Sequence, residues 1–203
     1  MLKCPISTFF IISFLALVSC KNNESSWDTG FIKIDPKLND LNKLIQKIEP
    51  NKNYIYLEYM PEFATKPSRT EGDSLILRKH KIVRPNYGFP TCAAGMCVAH
   101  IMYIDSGNVN YVTSFNELRT FIGKVNNLEE AILLSRTDHL FIDRDDLKGG
   151  SFKKVSNGFK LYMMRHDYCP EYKESIKVTI DSSGNFDSKS NGIYFRSSEC
   201  IQF

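Results

Sequence analysis

The sequence predicts a single α+β domain: an antiparallel β-sheet or meander carrying a few short helices, stapled by disulfides. Three observations carry this reading. Apolar and aromatic runs in the last third are punctuated by Ser156-Asn157-Gly158, Ser182-Ser183-Gly184-Asn185 and Asn191-Gly192, all turn chemistry. Ser114-Phe115-Asn116-Glu117 and Asn127-Leu128-Glu129-Glu130 have the spacing of helix capping boxes. Four of the six cysteines, Cys92, Cys97, Cys169 and Cys200, fall in the body of the chain, an even number suited to bridges. With 203 residues, 42% of them hydrophobic, the chain is long enough to bury one sizeable core.

Asp35-Pro36 ahead of Leu38, Leu41, Leu44, Ile45 and Ile48 supplies an N-cap, a first-turn proline and apolar spacings of three and four. A short amphipathic helix ending at Pro50 follows. Tyr54 to Tyr59 is aromatic and β-branched, hence a strand with Tyr54 and Tyr56 on one face. Pro61 to Gly72 reads as a polar loop, and Leu75 to Val83 as an edge strand with Arg78, Lys79, His80 and Lys81 at its middle. Val98 to Ile104 and Val109 to Thr113, joined by Asp105-Ser106-Gly107-Asn108, predict a hairpin that places Cys97 and His100 on opposite faces. The capping boxes start helices through Ile122 and Ser135, both expected to lie on the surface against the sheet. Strands at Phe159 to Arg165, Ile176 to Ile180 and Ile193 to Arg196 complete the meander.

The N-terminus has one basic residue, Lys3, then an apolar run from Phe9 to Val18 that is too short to span a bilayer. It ends in Leu17-Val18-Ser19-Cys20, which resembles the lipobox of the bacterial lipoprotein class. The resemblance implies cleavage before Cys20, lipidation of that residue and anchoring to a membrane through its acyl chains. Lys21 stands where an Asp would resemble an inner-membrane retention signal, which implies the outer membrane, with the body facing the periplasm or the surface. The chain then divides into a signal peptide (1–19), a lipidated Cys20 with a flexible polar tether (20–34) and one α+β domain (35–203). Loss of Lys3 leaves 25 basic and 23 acidic residues, a near-neutral balance that argues against nucleic acid as a partner.

In the oxidising compartment that this address implies, Cys92, Cys97, Cys169 and Cys200 favour two disulfides, with three connectivities open. Cys92 with Cys97 and Cys169 with Cys200 is the preferred pairing, the first being local and the second bounding the C-terminal strands. Two other readings of Cys92-Ala-Ala-Gly-Met-Cys97 stand beside a structural bridge. One is a redox-active thiol pair; the other is a copper site of Cys92, Cys97 and His100, with Met96 or Met102 as thioether ligand.

No set of residues has the spacing of a catalytic apparatus. His80, His100, His139 and His166 sit in no motif that positions a nucleophile, and no glycine-flanked nucleophile elbow is present. Asp143-Arg144-Asp145-Asp146 departs from the calcium-loop pattern at Lys148 and reads as a solvated turn. Arg78, Lys79 and Lys81 are candidates to hold an anionic glycan or lipid headgroup, and Tyr54 and Tyr56 to stack on a sugar or a partner. The expectation is a non-enzymatic envelope lipoprotein, with no cofactor, that binds another envelope protein or a glycan. The alternative is a thiol redox or copper-handling protein using Cys92 and Cys97.

Overall fold

Where the chain first turns helical, two Asp side chains set the geometry. The computed structural model describes residues 29–89 and 99–201, so the lipobox, Cys20, Cys92 and Cys97 lie outside the described residues. Asp35 accepts from the Lys37 amide and caps a 3-10 turn at Pro36–Asn39; Asp40 accepts from the Asn42 amide and starts α1, Leu41–Ile45. The second cap splits the single expected helix in two, because a side chain that satisfies amides ahead of it competes with continuing the helix through its own position.

Among the described residues nine strands form two antiparallel sheets. The smaller has the order β3-β2-β4-β5, from Arg69–Gly72, Tyr56–Met60, His100–Asp105 and Asn108–Val112. The larger has the order β1-β6-β7-β8-β9, from Ile32–Lys33, Gly150–Val155, Gly158–Tyr168, Glu171–Ile180 and Phe186–Arg196. The predicted hairpin is β4-β5, with Asp105 opposite Asn108 and Ser106 and Gly107 at φ 49° and 81°. Both central residues are left-handed, as a two-residue type I′ turn demands. The C-terminal meander is β6 to β9, and β1 adds to its edge: Ile32 pairs with Phe152, and Ile34 is fully buried. The folded body therefore begins ahead of Asp35, and residues 32–34 belong to it rather than to a tether.

Three local expectations are corrected. Arg69–Gly72 is a strand, not part of a polar loop, because its groups pair with Tyr56–Tyr59. Leu75 to Val83 is not a strand: Ser74–Lys79 is a 3-10 turn capped by Asp73, whose side chain accepts from the Leu75 amide. Ile76 and Leu77 are neighbours that both pack against Tyr56, Met102 and Ile104, which an alternating strand does not permit. Asn191-Gly192 is not a turn. The two residues bulge from β9 between Ser190, opposite Ile176, and Ile193, opposite Glu174, with Gly192 at φ 97°.

One apolar cluster joins both sheets and the helices. It takes Leu57 and Tyr59 from β2, Ile101 and Tyr103 from β4, Leu161 and Met163 from β7, and Ile176, Val178 and Ile180 from β8. Both capping boxes form, starting α2 (Phe115–Ile122) and α3 (Leu128–Arg136). α3 is no surface helix: every residue from Glu130 to Ser135 is buried. The Glu130 carboxylate accepts from the Asn126 amide at 2.7 Å and from the Glu49 amide at 2.7 Å, and burial pushes its pKa up.

Cys169 and Cys200 are disulfide-bonded, with Cα atoms 4.3 Å apart. Cys169 lies in the Cys169-Pro170 turn of the β7-β8 hairpin, and β9 runs parallel to β7 with β8 between them. Next-nearest strands are about 10 Å apart. The chain closes that gap by curling over the hairpin end, where Ser197 donates to the Glu171 carbonyl, Glu171 to that of Glu199, and Ile201 to that of Tyr168.

Replacing both Cys169 and Cys200 by Ala is expected to cost about 2–4 kcal/mol, the range for a loop of a few tens of residues. Hydrogen exchange checks where this is felt: the Glu171, Ser197 and Ile201 amides are expected to exchange faster, with Ile101 to Ile104 unchanged relative to global stability.

Candidate functional site

β7, β8 and β9 outrun the core. Phe159, Leu161 and Met163 of β7 face Ile180, Val178 and Ile176 of β8 inside it. Further along, the same face carries Arg165 opposite Glu174, paired at 3.0 Å, and Asp167 opposite Tyr172. The distal halves form a three-stranded arm, polar where the proximal halves are apolar. Its end is closed by the disulfide and displays Tyr168, Ile193, Phe195 and Ile201, each 37 to 42% exposed. Lys173 lies over the Phe195 ring, and the His166 ring packs against Tyr168 with its Nε2 at 3.0 Å from Glu171.

Asp143 ties the root of the arm. It is 3% exposed rather than part of a solvated turn. Its Oδ1 accepts from the Asp145 amide at 2.9 Å, and its Oδ2 accepts from the Tyr194 hydroxyl at 2.7 Å and from Lys173 Nζ at 3.3 Å. Burial alone would push its carboxyl up, but the Asp145 amide, Tyr194 and Lys173 hold it below the usual carboxylate range. Burial and the same carboxylate drive the Tyr194 hydroxyl upward. A hollow of about 210 Å³ lies here, lined by Asp143, Arg144, Asp145, Met164, His166 and Lys173 among others. Among the described residues no group of three or more His, Cys, Asp or Glu side chains is placed to hold a metal ion.

The sequence-predicted residues are dispersed. Tyr54 precedes β2, packs on the main core and donates its hydroxyl to Glu71. Tyr56 faces the opposite side of the sheet, buried with Met102 and Ile104, so the pair forms no common platform for a sugar. Its hydroxyl donates to Glu58 Oε2 at 3.0 Å, and burial beside that carboxylate pushes its pKa up to about 12. Glu58 is itself 2% exposed and is neutralised by Arg84 Nη1 at 2.7 Å. Arg78, Lys79 and Lys81 project from the 3-10 turn and the segment after it, across the outer face of the smaller sheet rather than along its edge. His100 is buried on β4 with its ring edge-on to Tyr111. Cys92 and Cys97, and with them the redox and copper readings, fall outside the described residues.

Sequence reasoning missed the Asp143-Tyr194-Lys173 and Glu58-Arg84 groupings. The second left one signal, a lone carboxylate inside the run Tyr56-Leu57-Glu58-Tyr59, which has to find a cation when the strand is buried on both faces. A further hollow of about 250 Å³ opens beside β5 and α2, lined by Lys52, Tyr103, Tyr111, Asn116, Thr120 and Phe121 among others. No helix of the described residues is long and apolar enough to cross a membrane. The chain matches no protein-family model, no curated protein and no solved structure.

Arg84→Met is expected to destabilise the fold by about 2 kcal/mol, below the figure for a fully buried pair because the guanidinium is partly exposed. Adding Glu58→Gln is expected to restore part of the loss in denaturant melts, since the stranded charge is then gone.

Asp143 gives a pH signature. A carboxyl whose folded pKa lies below its unfolded value contributes stability that is complete above about pH 4 and is lost as pH falls below it. Asp143→Asn is expected to melt below wild type at neutral pH, with the gap narrowing as pH falls below about 4. A gap that stays constant in thermal melts across this range removes the ionised carboxylate from the tie.

Proposed function

We propose that this protein is a lipid-anchored lipoprotein of the bacterial cell envelope, held at the outer membrane through Cys20. It acts without catalysis, by binding another envelope component through the end of its β7-β8-β9 arm. The observation that carries this reading is the arm itself, which extends past the core, is closed by Cys169–Cys200 and presents Tyr168, Ile193 and Phe195 to solvent. Exposed aromatic and aliphatic side chains on an otherwise polar element are what protein interfaces use as anchors. A cross-linked arm loses little conformational freedom on docking, so more of its contact energy appears as affinity. The favoured occupant is a second envelope protein, because the exposed apolar groups suit a desolvating protein surface better than a hydrated glycan.

Two measurements test the two halves of the proposal. In cells fed labelled palmitate, the wild-type chain is expected to take up label and fractionate with membranes, and Cys20→Ala to do neither. An unlabelled wild type overturns the anchor. A photo-crosslinking residue at Phe195 is expected to yield a discrete adduct in intact envelopes, lost when Ile193→Asp is added, with none from Thr179 on the proximal sheet. Equal adducts from both positions overturn the assignment to the arm.

A further inference from the structure

From Ser74 the chain lies over the outer face of the smaller sheet, and at Phe89 it re-enters the main core. Ile76, Leu77 and Ile82 pack down on Tyr56, Met102 and Ile104. His80 fastens the segment at a second point, its ring nitrogens lying 3.0 Å from the carbonyls of Ile76 and of Gly107 in the β4-β5 turn. Outward point Leu75, Val83 and Tyr87, exposed by 60, 64 and 64%, interleaved with exposed Arg78, Lys79 and Lys81. No acidic residue occurs from Ser74 to Phe89, and Arg84 already answers Glu58. Among the described residues no carboxylate forms an ion pair with Arg78, Lys79 or Lys81.

We infer that this strap is a membrane-contact surface that docks on the face of an anionic phospholipid bilayer. Cations alone would suit any polyanion. The strap also leaves Leu75, Val83 and Tyr87 exposed to water along the same stretch as those cations, and a hydrated polysaccharide does not desolvate aliphatic side chains. A lipid interface takes both: headgroup phosphates meet Arg78, Lys79 and Lys81, and the acyl boundary accepts the apolar groups. The contact is separate from the acyl chains proposed for Cys20 and sets which face of the body lies against the membrane. The surface is prebuilt, because the inward residues and His80 hold the strap on the sheet whether or not lipid is present.

The test uses the protein as cells make it, with the lipid state of Cys20 read separately by mass. Hydrogen exchange over Ser74 to Phe89 is followed with vesicles of phosphatidylcholine alone and of an equimolar phosphatidylcholine and phosphatidylglycerol mixture. Each Lys or Arg near an anionic surface changes partitioning by about fivefold, so three favour the charged vesicles by on the order of a hundredfold. Strap amides are expected to slow on the mixed vesicles, to recover at high salt and to stay fast on phosphatidylcholine. Arg78→Glu, Lys79→Glu and Lys81→Glu together are expected to abolish the slowing, with exchange at Ile101 to Ile104 showing that the fold survives.

Unchanged exchange on the mixed vesicles overturns the inference, and so does slowing of equal size on both vesicle types. If soluble dextran sulfate slows the strap equally and Leu75→Ser has no effect on the vesicle response, the segment is a plain polyanion site and the lipid assignment fails. An acylated Cys20 with an unresponsive strap leaves the proposed anchor standing while the strap fails. A responsive strap on an unacylated chain does the reverse.

Discussion

Everything else in the structure is built around one apolar cluster shared by two sheets. The main core belongs to neither sheet alone: Leu57, Ile101 and Val112 from one and Leu161, Met163 and Val178 from the other sit in the same cluster. α3 is its post, with Ala131, Ile132, Leu133 and Leu134 all fully buried. Consecutive buried residues mean that the helix is covered on most of its circumference, so its polar start cannot rely on water. Glu130 meets that need by accepting from amides on both its own N-terminal turn and the Glu49 segment, which joins α1 to α3 electrostatically as well as by packing.

A shared core of limited extent explains the arm. Strands of ten and eleven residues are longer than the cluster is wide, so their distal halves have nothing apolar to lie on. They are held by other means: cross-strand charge pairs, the disulfide, the curled C-terminal segment and the Asp143 carboxylate reaching Tyr194 and Lys173. The two bulges in β9 belong to the same economy, since they interrupt the regular ladder along a free edge that would otherwise invite pairing with another chain. What remains exposed at the end is a small set of large side chains on a cross-linked frame.

The outer face of the smaller sheet shows the opposite solution. That sheet is covered on its second side by a strap rather than a helix, and the strap brings its own cation to the buried Glu58. Burying one charge demands another, which Arg84 supplies, while Ile76, Leu77 and Ile82 pack on the sheet and Leu75, Arg78, Lys79, Lys81 and Val83 stay exposed. The strap is therefore at once a lid over Tyr56 and Met102 and a surface of mixed basic and apolar character.

The sequence by itself determined what is satisfied within a few residues. Ser114 and Asn127 reach amides three positions on, Ser106-Gly107 closes a turn through its own φ angles, and turn residues after Val155 and Ile180 end strands where expected. The C-terminal disulfide was legible as one pairing among three, because the meander brings parallel strands to a common end. Tertiary structure alone decided the rest. Leu75 to Val83 had strand composition but two adjacent apolar residues with one surface to cover; Asn191-Gly192 had turn composition but strands on either side that stayed paired with β8; α3 had the cap of a surface helix but a core on most sides. The Asp143 and Glu58 groupings join residues up to 51 positions apart. Local hydrogen bonding is written in adjacent residues, whereas burial depends on which distant segment arrives, and a group's partner is set by what else is buried with it.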